Sequence, residues 1–238
     1  MESKGKIGII TGAGPEAGID LWQKILSHTK KYYNEAYKGD IDTPYVVVYS
    51  VPELGKVMSI ETNTDEVWSH LKAALLKIDS EVDYFCIACN VLHHYSLQIQ
   101  EMNLKSKFVS IVNVTRDYLL ESNTKEIALL SIPKVIELGK FSPYKYLQDD
   151  FSVETPGSEE MDTLIRGIKI KGSENKELLN DFRLILDKIE AKVVILACTE
   201  LPLLSTESIN KVFVDPTDIL AKVICMCAIN HSQYAIVE

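Results

Sequence analysis

Lys192–Leu204 reads KVVILACTELPLL: an apolar β-branched run that stops at Cys198, then Thr199 and Glu200, then a Leu-Pro break. The run has the length and composition of a buried strand, and the Pro punctuates it, so a thiol stands where a strand ends. Asp83–Asn90, DYFCIACN, repeats the pattern upstream with Ala88-Cys89 followed by the amide of Asn90. Two strands that each end in Ala-Cys set the terms for the rest of the chain.

Outward from these stretches the chain alternates. Lys6–Thr11 (KIGIIT) is a short strand pattern; Gly12, Ala13, Gly14 and Pro15 make a turn, and an amphipathic run follows from Glu16 to about Tyr37. Strands are predicted over Tyr45–Ser50, Tyr84–Cys89, Phe108–Val112, Ile127–Ser131, Phe151–Thr155, Val193–Cys198 and Val212–Val214. Helices are predicted over Thr62–Lys77, Val91–Met102, Thr115–Glu121, Met161–Lys169, Glu174–Ile189 and Thr217–Ile229. Strands alternating with helices argue for α/β architecture with mostly parallel sheets flanked by helices.

The alternation runs twice. Aligned on the two cysteines, Leu184 falls on Leu75, Glu190 on Glu81 and Ala197 on Ala88, while KEIALLS echoes KIGIIT. This weak repeat predicts two pseudo-symmetric halves: residues 1–112 with a returning helix in 216–238, and residues 113–215. Ligands of open α/β sheets bind at the carboxyl ends of the strands, so each half would contribute one Ala-Cys turn to a cleft between them.

Composition narrows the function. The 238 residues are 46% hydrophobic, enough for real cores. A net charge of −9 without a dense Lys/Arg stripe argues against a nucleic-acid partner. The start of the chain carries no signal-peptide pattern and no apolar run is long enough to span a bilayer, so a cytoplasmic protein with no membrane partner is expected. Five cysteines are an odd, sparse set that reads as free thiols; Cys225 and Cys227 on the last helix read as packing, and no zinc set is formed. Cys86, three residues before Cys89 on one strand, points to the opposite face.

A paired acid and base is what cofactor-free inversion of a carbon requires: one group removes a proton from one face, and another returns one to the other face. Thiols serve both roles, because neighbouring donors and helix N-termini move their ionisation into the working range. A lone Cys-His nucleophile with His93 or His94 is the competing arrangement, although a helix-surface position suits both histidines better. Gly12-x-Gly14-x-x-Ala17 formally matches a dinucleotide fingerprint. Its supporting acid is missing, since the first one beyond the second strand is Glu53, and no nicotinamide or flavin cofactor is expected.

Ala88-Cys89-Asn90, Ala197-Cys198-Thr199-Glu200-Leu201-Pro202, the N-terminal strand with its glycine turn, and VDPTDILA at 214–221 together resemble the aspartate/glutamate racemase family along nearly the whole chain. The resemblance implies a cofactor-independent amino-acid racemase, or a related isomerase or decarboxylase in which one cysteine is a nucleophile, or a homologue that binds without turnover. It implies Cys89 and Cys198 as the acid-base pair. Gly12, Ala13, Gly14, Asn90 and Thr199 would receive the α-carboxylate of a small amino acid or other carboxylate, with Glu200 the acidic neighbour of the second thiol. A homodimer is usual for that family, though nothing in this sequence demands one.

Two departures bear on the substrate. Typical aspartate racemases carry Pro-Asp-Arg after the second strand, where this chain has Val51-Pro52-Glu53-Leu54-Gly55-Lys56 and no arginine; Glu53 would repel a second carboxylate, and Lys56 could replace the arginine only with a different reach, because a point-charge ammonium is not a bidentate fork. The family's Asn-Thr is here Asn90-Val91. Arg166 and Lys169 fall where the family places another cation, Lys169 being the candidate substrate contact, against a solvated helix face as the alternative.

Overall fold

A computed structural model describes residues 4–204 and 210–230; the extremes of the expected halves, residues 1–3 and 231–238, lie outside them. In chain order the elements are β1 (Ile7–Thr11), α1 (Pro15–Tyr33), β2 (Val46–Ser50), α2 (Ile60–Ile78), β3 (Tyr84–Ile87), α3 (Ser96–Glu101), β4 (Lys107–Phe108), α4 (Ile111–Glu121), β5 (Glu126–Leu130), α5 (Pro133–Ile136), β6 (Ser152–Glu154), α6 (Ser158–Lys171), α7 (Lys176–Lys188), β7 (Val193–Leu196), β8 (Val212–Val214) and α8 (Pro216–Asn230). Short 3₁₀ turns fill Pro52–Ser59, Val91–Tyr95, Lys145–Asp149 and Leu201–Leu203.

The strands form two four-stranded sheets, in the orders β2-β1-β3-β4 and β6-β5-β7-β8, and every pairing is parallel. Parallel neighbours need helical crossovers, which cover both faces, and the central strands accordingly read as unbroken apolar runs. β1, β3 and nearly all of β5 and β7 are buried. By backbone contacts the chain divides into two units, Met1–Thr115 with Thr217–Glu238 and Arg116–Pro216. No helix among the described residues is long and apolar enough to cross a membrane.

In the first unit Ile7, Ile9, Cys86 and Ala88 meet Ala17, Leu21 and Ile25 of α1 and Leu220, Ile224 and Ala228 of α8 in one buried cluster. Cys225 and Cys227 are buried in the same cluster, Cys225 lying 3.3 Å from Thr29 Oγ1. In the second unit α7 buries Leu178, Phe182, Ile185 and Leu186 on one helical stripe, its N-terminus capped by Asn175 accepting from the Glu177 and Leu178 amides.

One predicted strand is a helix start. The β-branched run at 108–112 suggests a strand, yet the ladder stops with the Val109 amide on the Phe85 carbonyl, and α4 begins at Ile111. Ser110 decides this: its hydroxyl accepts from the Asn113 amide at 3.4 Å, the cap pattern that turns a chain into a helix. The helix predicted over Val91–Met102 divides into a 3₁₀ turn and α3.

Gly12 fixes the turn after β1. Its φ is +120°, and a Cβ there would stand 2.1 Å from the Val51 carbonyl oxygen. Gly18 allows α1 to close on the strand, since a Cβ would meet Thr11 at 2.6 Å. Gly39, at φ +92°, has open space around it. Gly12→Ala is therefore expected to lose more than about 3 kcal/mol in urea unfolding, from backbone strain and collision together. Gly39→Ala should lose about 1–2 kcal/mol from strain alone.

Candidate active site

Each cysteine turn is set by the central pair of strands in its own unit. In the first, β1 and β3 run in register to Ile10 and Ile87, and the Ala88 amide adds one more bond, to the Ile10 carbonyl at 2.9 Å. Cys89 follows immediately, buried, at the carboxyl end of the sheet. In the second, β5 and β7 run in register to Leu130 and Leu196, and the Ala197 amide bonds the Leu130 carbonyl at 2.8 Å. Cys198 follows in the same relation, so the two thiols have equivalent positions in units of the same strand order.

Beside Cys89 the parallel pairing brings the Gly12–Ala13–Gly14 turn to the same sheet edge. Thr11 Oγ1 donates to the Gly14 carbonyl at 3.1 Å, and the Val51 amide donates to the Thr11 carbonyl at 2.9 Å, which ties the turn to the segment after β2. Asn90 is buried and opens the 3₁₀ turn after the thiol. Glu53 is exposed on the 3₁₀ turn at 52–59, and Lys56 on that turn is ion-paired with Glu66 of α2, both partly exposed.

His93 is buried, which corrects the surface position predicted for it; His94 is half-buried with its ring against Tyr95. His93 Nδ1 is 2.9 Å from the Cys89 carbonyl oxygen, and Nε2 is 3.1 Å from the Ile111 amide. A carbonyl can only accept and an amide N–H can only donate, so the ring is neutral with its proton on Nδ1. Nε2 thereby satisfies a first-turn amide of α4 that has no partner within the helix. Burial pushes His93 down to about 4, against the opposing pull of the Cys89 and Asn90 backbone. The ring fastens the carbonyl of Cys89 to the start of α4 and serves as neither nucleophile nor surface group.

Around Cys198 the chemistry is charged. The Ser131 hydroxyl donates to the Ala197 carbonyl at 2.6 Å, and the Leu201 amide donates to the Cys198 carbonyl at 2.9 Å, holding the turn from both sides. Cys198 Sγ donates to Glu200 Oε2 at 3.0 Å, with Thr199 Oγ1 at 3.4 Å from the same oxygen. Lys169 of α6 is ion-paired with Glu200 Oε1, which replaces the solvated-face reading for this lysine. Arg166, by contrast, pairs along the helix surface with Asp162. Burial raises the Cys198 thiol well above its ordinary value; the Glu200 charge raises it further and the Lys169 charge opposes.

Cys86 is fully buried, 3.6 Å from the Gly8 carbonyl oxygen, and burial pushes its thiol up. No group of three or more His, Cys, Asp or Glu among the described residues is arranged to hold a metal ion. Sequence reasoning missed Ser131 and the part played by His93. The echo of KIGIIT in KEIALLS, which puts Ser131 opposite Thr11, is the signal that could have found the serine.

The family model described as Asp/Glu/Hydantoin racemase matches residues 10–224. Broad specificity amino-acid racemase RacX of Bacillus subtilis is 26% identical over 122 residues, 51% of this chain and 48% of that protein, so the match spans about half the length of the curated relative. The aspartate racemase of Picrophilus torridus superposes with a TM-score of 0.75 at 24% identity, covering 93% of this chain and 92% of that one. Glutamate racemase of Francisella tularensis, solved with D-glutamate, gives a TM-score of 0.64 at 14% identity, covering 92% and 79%. These likenesses match the two-sheet α/β fold.

His93 makes stability depend on pH. Unfolded, its imidazole titrates near 6.5, and folded near 4, so between those values the unfolded chain binds the extra proton. Stability from this residue is complete above 6.5 and is lost as pH falls toward 4, by up to about 3 kcal/mol. Urea unfolding at pH 7 and pH 5 should show about 2 kcal/mol of this loss in the parent protein and none in His93→Gln, which is itself expected to be less stable at pH 7 by about 1–3 kcal/mol.

Proposed function

The chain belongs to the Asp/Glu/hydantoin racemase family, and from that premise we propose that it is a cofactor-independent amino-acid racemase whose acid and base are Cys89 and Cys198. The observation that supports this reading is the equivalent placement of the two thiols, each one residue past the last ladder bond of its central strand pair. In the reaction one thiolate takes the α-proton, the electron pair passes into the α-carboxylate group, and the other thiol delivers a proton to the opposite face. Donors from the Gly12–Gly14 turn, Asn90 and Thr199 would hold that carboxylate and stabilise the charge it gains.

The substrate of this proposal is an α-amino acid not confined to aspartate or glutamate. The stretch after β2, where typical aspartate racemases carry Pro-Asp-Arg, has no arginine here and places Glu53 there instead, and Lys56 is engaged with Glu66. The Bacillus relative is named for broad specificity, which agrees with a site that does not depend on a second carboxylate.

Incubation with a panel of amino acids in deuterated water tests the activity by α-deuterium incorporation, and its absence from every candidate would sink the proposal. Cys89→Ser and Cys198→Ser should each lower net racemisation by about 10³-fold, while exchange from one enantiomer can survive. A large loss in only one of the two variants would favour an isomerase or decarboxylase with a single nucleophilic cysteine. Thermal stabilisation by an amino acid without any exchange would mark a binding protein instead.

A further inference from the structure

Glu200, whose side chain is 6% exposed, holds two groups at once: the Cys198 sulfur, 3.0 Å from Oε2, and the Lys169 ammonium on Oε1. A carboxylate and a thiolate at 3.0 Å in a poorly solvated place repel strongly, so the contact contains a proton. A carboxylic acid is ordinarily a far stronger acid than a thiol, and the ion pair with Lys169 on the other oxygen is made by a carboxylate, so the shared proton lies on sulfur. Among the described residues, the charged groups that bear on Cys198 are Glu200 from its own turn and Lys169 from α6. The equivalent turn after Cys89 differs, because Val91, buried and apolar, takes the position that Glu200 has after Cys198.

Resting on the two-thiol reading above, we propose that Glu200, ion-paired with Lys169, is a positioning residue that holds the resting proton on Cys198, so that the free enzyme presents Cys198 as acid and Cys89 as base. From this state the Cys89 thiolate forms an S–H bond with the α-proton while the C–H electron pair passes into the α-carboxylate group. The Cys198 S–H bond then breaks, its proton forms the new C–H bond on the opposite face, and its electron pair stays on sulfur. The thiolate so formed faces Glu200, and Lys169 offsets the repulsion until the proton returns. One enantiomer meets the resting form directly; its mirror image needs the protons redistributed first. Because the enantiomers are equal in free energy, kcat/KM is the same in both directions whatever Glu200 does, and the effect must be read on the thiols themselves.

Ultraviolet absorbance of thiolate, titrated in the full chain and in Cys198→Ser, gives the Cys198 contribution by difference. That contribution is expected only above the ordinary thiol range in the parent, and at least about one pH unit lower when both proteins also carry Glu200→Gln. Appearance at the same pH with and without Glu200→Gln overturns the proposal. A measurement on the unaltered protein stands beside it, in case the variant does not fold. Cys89 and Cys198 are 7% and 8% exposed, giving a small alkylating agent similar access. Limited iodoacetamide treatment at neutral pH, read by peptide mass spectrometry, should modify Cys89 about tenfold faster; equal rates, or faster modification of Cys198, overturn the proposal. Deuterium exchange scores the racemase reading separately. A failed titration with exchange intact removes only the role of Glu200, and lost exchange with Cys198 still protonated removes only racemisation.

Discussion

Two backbone hydrogen bonds, Ala88 to Ile10 and Ala197 to Leu130, carry the rest of the design. Each is the last rung of a parallel ladder, and parallel pairing obliges neighbouring strands to end on the same edge. The turn after β1 therefore lies beside the turn after β3, and the turn after β5 beside that after β7. A thiol one residue beyond the last rung is delivered by the stiffest part of each unit. Glycine at 12 and serine at 131 then meet local needs: the first lets the chain pass the Val51 carbonyl, and the second holds the carbonyl of Ala197.

The same scaffold gives its two thiols different surroundings. Beside Cys89 a neutral imidazole, locked by one acceptor and one donor, braces the backbone. At Cys198 a carboxylate with its own counter-ion touches the sulfur. Repetition of the backbone needed no repetition of the electrostatics, since side chains two residues past each thiol can change without disturbing a ladder bond.

How much of this was legible in the sequence follows from how far apart the interacting residues lie. Strands buried on both faces read as continuous apolar runs, so β1, β3, β5 and β7 stood out, as did the helices with long one-sided stripes. The repeat was visible because KEIALLS and KIGIIT lead into equivalent turns. The start of α4 was hidden, because the β-branched run at 108–112 outweighs a single Ser110, and only the hydrogen bond to Asn113 shows which signal wins. His93 was misplaced because its partners are a carbonyl four residues back and an amide eighteen residues on, a pairing that no periodicity reports.

Lys169 and Glu200 lie 31 residues apart on separate elements, and their union changes what each can offer a substrate. Read one at a time, Lys169 is a cation for a substrate carboxylate and Glu200 a local negative charge. Paired, they are neutral as a unit, and a neutral unit attracts a distant anion far less than a lone ammonium does. With Lys56 held by Glu66 as well, the two lysines weighed as partners for a substrate carboxylate both have carboxylates of the protein itself as partners. In the proposed racemase, the features that would move a proton and those that would choose a side chain are thus separable: the first rest on strand ends, and the second on which cations already have carboxylate partners within the protein.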